Sequence, residues 1–150
     1  MKKPLVIFLL VALHVIVGIS ALAGGSMLVI NPDGSLLGMQ PGWLNHSGFT
    51  TYLIPGLLLF FANGVFPLLT AYGLLFKPTM GWINKINLYH TRHWAWACSL
   101  YTGVILIAWI IVQQVIANYF WLQPVIASAG LLIIVFTLLP AVTDHYSLTK

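Results

Sequence analysis

The sequence predicts an all-α membrane protein of a single domain, residues 1–150, with four transmembrane helices in an up-down-up-down antiparallel bundle and both termini cytoplasmic. Three observations predict it. Hydrophobic residues make up 60% of the chain and charged residues 5%, against about 25% charged in ordinary globular chains. The uncharged runs are as long as bilayer spans, which need roughly 20 residues. All six Lys and Arg residues fall on one predicted side of the spans.

The spans are expected at about 5–29, 53–76, 93–117 and 122–142. No charge interrupts 5–30 or 53–76. Residues 93–143 lack Asp, Glu, Lys and Arg altogether, too long a stretch for one span, so the chain must turn back. The turn-like interruption is Asn118-Tyr-Phe-Trp-Leu-Gln-Pro124. Lys2 and Lys3 precede the first span, Lys77, Lys85 and Arg92 lie between the second and third, and Lys150 follows the fourth. Positive flanks resist translocation, which orients these segments toward the cytoplasm. The net charge of +4 is accounted for in this way and implies no nucleic acid, only a preference for anionic headgroups at the inner face. Ala21-Leu22-Ala23 also resembles a signal-peptide cleavage site. The apolar run continues past it to Ile30, as a retained helix requires.

Membrane helices pack through small and polar residues. At alternating three- and four-residue spacings the first helix offers His14, Gly18, Ala21 and Gly25, and the second Gly56, Phe60, Asn63, Pro67 and Thr70. The third offers Ala95, Ser99, Thr102, Leu106, Ile110, Gln113 and Ala117; the fourth Gln123, Ala127, Gly130, Ile134, Thr137 and Ala141. Ser20, Gln114 and Ser128 fall off these stripes. The period predicts near-antiparallel, left-handed packing. The loop 31–52 opens with the turn signal Asn31-Pro-Asp-Gly34 and then carries Leu36, Leu37, Met39, Trp43, Leu44 and Phe49. It is expected to lie as a lid over the outer end, either as a plain cap or covering a pocket.

Polar side chains at membrane depth are the functional candidates. His14 lies nine residues past Leu5, roughly 14 Å in. Thr102 and Asn63 are expected at similar depth on inward stripes. Pro67 frees the Asn63 carbonyl, so the second helix should kink there. His14 and Asn63 then either hydrogen-bond to each other as interhelical glue or, with Thr102, form a ligand or proton-linked site. The stretch "LYHTRHWAWACS" at 88–99 reads mainly as an interfacial collar. Arg92 snorkels there and Trp94, Trp96 and Trp82 anchor the inner level, with Trp43 and Trp121 at the outer level. Trp109 sits deep, where packing is the default. His90, His93 and His145 make only a weak metal set, short of the ligands a zinc site needs. Cys98 is alone, which excludes an internal disulfide.

"YLIPGLLLFFANG" at 52–64, "RHWAW" at 92–96, "LQP" at 122–124 and "LLP" at 138–140 resemble a group of small uncharacterised bacterial four-helix integral membrane proteins, with a fainter similarity to DoxX-like proteins. The resemblance implies the bacterial inner membrane and the architecture, and no activity. With two acidic residues, Asp33 and Asp144, the chain lacks the usual groups for hydrolysis or acid-coupled transport. The expectation is a non-enzymatic membrane protein without a cofactor, acting through helix and lipid contacts or as a subunit of a larger assembly. Its partners would then be lipids, other membrane proteins or further copies of itself. The alternatives are a ligand-binding or transport protein with a pocket at His14, Asn63 and Thr102, and a quinone- or haem-linked redox protein.

Overall fold

A computed structural model describes residues 3–45, 47–116, 119 and 121–148. Lys2, Ala117, Asn118, Phe120 and Lys150, which entered the expectations above, lie outside the described residues. Those described are helical or irregular and form no strand. Three helices are long and apolar enough to cross a membrane, and a fourth apolar helix is shorter.

Helix α1 spans Leu5–Ile30. Its buried residues include Ile7, Val11, His14, Gly18, Ala21, Gly25 and Leu28. That is a seam of alternating four- and three-residue steps, with Leu, Ile, Val and Phe facing outward. Helix α2 spans Leu53–Phe76, but its middle, Leu59–Val65, is wound as a π-helix in which the Phe66 N–H reaches the Phe61 carbonyl. Pro67 supplies the reason. It has no N–H for the Asn63 carbonyl, and its ring would collide with that carbonyl in a regular α-helix; widening the preceding turn relieves both problems. The helix ends at Lys77 in the left-handed conformation, φ 49°, with its N–H on the Gly73 carbonyl.

The first two helices meet backbone to backbone. A Cβ placed on Gly25 would sit 2.7 Å from the Phe60 nitrogen and 2.9 Å from the Gly56 oxygen. One on Gly18 would lie 3.1 Å from the Gly64 oxygen. Only glycine admits this approach, and the contacts fix an antiparallel register between the two helices.

A short helix, α3 (Gly81–Asn84), follows, then α4 (Trp94–Ile116) and α5 (Leu122–Leu138). The α4/α5 pair repeats the glycine device: a Cβ on Gly103 would stand 2.8 Å from the Gly130 oxygen. Ser99 and Thr137 hydroxyls pair across it at 2.6 Å. Off the seams, Gln114 donates to Gln123 at 2.6 Å and Ser128 to its own Pro124 carbonyl.

The fourth helix stops earlier than the predicted 142. Leu139 is extended, φ −57° and ψ 138°, because a residue before proline avoids the α region, and α6 (Pro140–His145) starts afresh. Ala141 is accordingly exposed, and Val142 takes the buried place.

At the Lys- and Arg-bearing end, residues 91–93 pair with 146–148. The His93 N–H bonds to the Tyr146 carbonyl and the Leu148 N–H to the Thr91 carbonyl, each at 2.8 Å. Lys77 donates to the His145 carbonyl at 2.6 Å and lies over the Tyr146 ring; Arg92 donates to the Thr143 carbonyl. Cations thus sit on the free carbonyls of helix ends, where the dipole favours them.

At the opposite end, the loop after α1 folds as two short 3₁₀ turns, Ser35–Leu37 and Pro41–Leu44. Tyr52 is buried with Leu28 and Leu44 and donates to the Gln40 carbonyl at 2.7 Å. Gly34, at φ 82°, lies against its ring.

Candidate functional site

His14, Asn63 and Thr102 are all buried, but they are not drawn together as one hydrogen-bonded cluster. The α1/α2 register explains the first separation. Gly18 faces Gly64 and Leu68, so His14, one turn earlier, faces the Pro67–Ala71 turn and not Asn63. Its Nδ1 lies 2.8 Å from the Leu10 carbonyl oxygen. A carbonyl only accepts, so Nδ1 carries the proton and Nε2 is left as a bare acceptor with no partner. The expected His14–Asn63 glue is not formed. Thr102 is spoken for, donating at 2.9 Å to the Cys98 carbonyl in its own helix. Thr70 does the same toward Phe66. Cys98 is buried filler in the core.

Asn63 is 2% exposed, sits in the π-wound stretch, and leaves both Nδ2 and Oδ1 without a partner among the described residues. Buried carboxamides are almost always satisfied, and π-bulges are frequent at functional sites. The surroundings of Asn63 add a third observation. Helix α2 meets α4 mostly through its Phe66–Phe76 half and is nearly free of it along the π-wound half. The opening is a groove of about 250 Å³, walled by Leu58, Ala62 and Asn63 on one side and Ile105, Ala108, Trp109 and Val112 on the other.

Trp109 carries another orphan: its Nε1 is buried without an acceptor among the described residues. Its one cue in the sequence is an indole N–H placed deep in an apolar helix, where it needs a partner. The three unpartnered atoms of Asn63 and Trp109 are themselves buried, so they stand behind the groove wall. A second hollow of about 520 Å³ continues toward the basic end, walled by Phe66, Tyr89, Leu100, Tyr101 and Val104 and sharing Ile105 with the first.

The expected interfacial anchors divide. Trp82 and Trp121 are exposed and Trp43 partly so. Arg92 is half-buried, its guanidinium 5.8 Å from the Trp96 ring centre. Trp94 and Trp96 differ from the expectation, because both are buried in the core. The Trp94 ring fills the space over Gly73 and donates to the Pro78 carbonyl at 2.7 Å; Trp96 donates to the Thr137 carbonyl at 2.8 Å. Their N–H groups are met inside the protein, so neither ring needs the headgroup zone.

Among the described residues, no three of His, Cys, Asp and Glu gather to hold a metal. His90 is exposed. His93 accepts from the Ala95 N–H at 3.2 Å through Nδ1, and the His145 ring stacks edge-on against Tyr146. Burial first, and the nearby Lys77 charge after it, hold both imidazoles below their ordinary value.

No protein-family model, curated protein or solved structure matches the chain.

Proposed function

We propose that the chain is a non-enzymatic integral membrane protein of the bacterial inner membrane, with four spans and cytoplasmic termini, that binds a lipid-soluble molecule in the groove between α2 and α4. The Lys and Arg distribution supports the orientation, with Lys3, Lys77, Lys85 and Arg92 all at one end of the helices. At 17 residues α5 rises about 26 Å, enough to cross a bilayer core of about 30 Å with slight local thinning.

One observation carries the ligand reading: Asn63 and Trp109, the walls of one groove, hold buried polar atoms that no described residue satisfies. Leaving such groups unmade costs about 1–3 kcal/mol each. A ligand that turns the carboxamide or the indole toward the groove recovers that cost on binding. His14, on the far face of α2's register, belongs to the seam and not to the groove.

The test is delipidation. The protein purified in detergent is expected to gain thermal stability when an inner-membrane lipid extract is returned, and the gain should shrink in Asn63→Leu and Trp109→Phe. An equal gain in all three proteins would remove the groove from the account. A protein that instead dimerises through this face, with the groove residues crosslinking between copies, would point to an assembly subunit.

A further inference from the structure

We infer that the groove selects a neutral single-chain lipid bearing a hydroxyl group, a long-chain alcohol, with the hydroxyl at Asn63 and Trp109 and the chain running toward the basic end. This rests on the groove being a ligand site and goes further by naming what enters it. The unpartnered atoms set the chemistry. Trp109 Nε1 can only donate, Asn63 Nδ2 donates, and Asn63 Oδ1 can only accept. A group satisfying all three must both accept and donate. Once both side chains turn from behind the wall toward the groove, a hydroxyl does so with one oxygen, taking hydrogen bonds from the indole and the amide and giving its proton to Oδ1. An ester or ether oxygen accepts but leaves Oδ1 orphaned.

Charge is disfavoured. Asn63 lies ten residues into α2, roughly 15 Å from its start, and among the described residues no ionisable side chain lines either hollow except the tyrosines Tyr89 and Tyr101. An ionised head at that depth would be unpaired in hydrocarbon.

The chain has a path. The two hollows share Ile105, and the larger one is walled by Phe66, Leu100 and Val104. From Trp109 to Leu100 the helix rises roughly 14 Å, a length suited to an extended alkyl chain and not to a compact ring. The mouth at the basic end, beside Tyr89, opens at exposed residues.

The experiment uses the full chain in detergent micelles with three probes of equal length: a mid-chain brominated octadecanol, its methyl ether, and the brominated methyl ester. Bromine quenches indole emission, and the Trp109→Phe variant supplies the background of the other five tryptophans, from six in all. The alcohol should quench saturably and be displaced by plain octadecanol, while ether and ester bind about tenfold more weakly or worse, one buried hydrogen bond being lost. In Asn63→Leu the three probes should converge to within about twofold. Val104→Trp fills the larger hollow and leaves both polar residues in place, so it should abolish displacement by octadecanol in a protein whose circular dichroism is unchanged. If ether and alcohol bind alike, the hydroxyl assignment is overturned while the groove survives as a lipid site. If no probe quenches saturably, the groove fails as a ligand site and this inference fails with it.

Discussion

Replacing Asn63 by leucine should make the unliganded protein more stable. The carboxamide is 2% exposed and makes no hydrogen bond to a described residue through either polar atom, so its burial is uncompensated. Leucine has the same branching at Cγ and no polar atoms, and the adjoining groove gives its bulkier methyl groups room. The penalty for an unmet buried polar group is about 1–3 kcal/mol, though an unfolded chain still in the membrane or micelle finds partners for the amide and moderates the difference. A gain of about 1–2 kcal/mol is therefore expected, roughly a 5–30-fold rise in the folded-to-unfolded ratio. Had Asn63 been interhelical glue, the same change would cost about 0.6–2 kcal/mol, so the two accounts differ in sign.

The assay is reversible unfolding in mixed micelles as the denaturing detergent fraction rises, followed by near-ultraviolet circular dichroism of the tryptophans. Thr102→Val is the control. Its hydroxyl bonds only to the Cys98 carbonyl of its own helix, so its loss should change stability by less than about 0.5 kcal/mol. A destabilised Asn63→Leu protein beside a neutral Thr102→Val would falsify the claim that the carboxamide is unsatisfied.

Gly103→Val should lose about 2–4 kcal/mol, because a Cβ 2.8 Å from the Gly130 oxygen and 2.5 Å from an Ile134 side-chain carbon must push α5 away and stretch the 2.6 Å Ser99–Thr137 bond; the same unfolding assay reads it. Stability should fall on acidification. His93 and His145 have folded values lowered from 6.5, so the unfolded chain takes up protons first. The contribution is whole above about pH 6.5 and declines as the pH drops below it, seen as a lower thermal midpoint at acid pH that His93→Gln partly flattens. For topology, a green fluorescent protein fused to the C-terminus in cells should fluoresce, while alkaline phosphatase at the same point should stay inactive; the reverse pair would invert the orientation.

The helix seams were legible in the sequence for a simple reason. In an apolar span, Gly, Ser, Thr, Asn and His are rare, so their three- and four-residue spacing marks the buried face directly. His14, Gly18, Ala21 and Gly25 are all buried, as are Ser99, Thr102, Leu106 and Ile110. What depended on neighbours was not legible. That Trp94 lies inside the protein rests on Gly73, a residue on another helix, making room for its ring. Pro67 announced a disturbance at Asn63, but that it would take the form of a π-wound turn depends on what packs against the helix, here the glycines of α1. The stop at Leu139 was visible in principle, since Pro140 restricts the residue before it. Trp109 reads as a packing residue in the sequence, because a tryptophan in a span is unremarkable until its N–H has no acceptor among the described residues.

The pairing of residues 91–93 with 146–148 bears on the order of assembly. The glycine-lined α1/α2 pair is complete once the ribosome has passed Phe76, and it needs nothing made later to close. Helix α4 is different: the amide just before it, that of His93, is met by the carbonyl of Tyr146, a residue translated only after both α4 and α5. Helix α4 must therefore wait with an unfinished beginning, and the basic end is fastened only after residues 146–148 have been made.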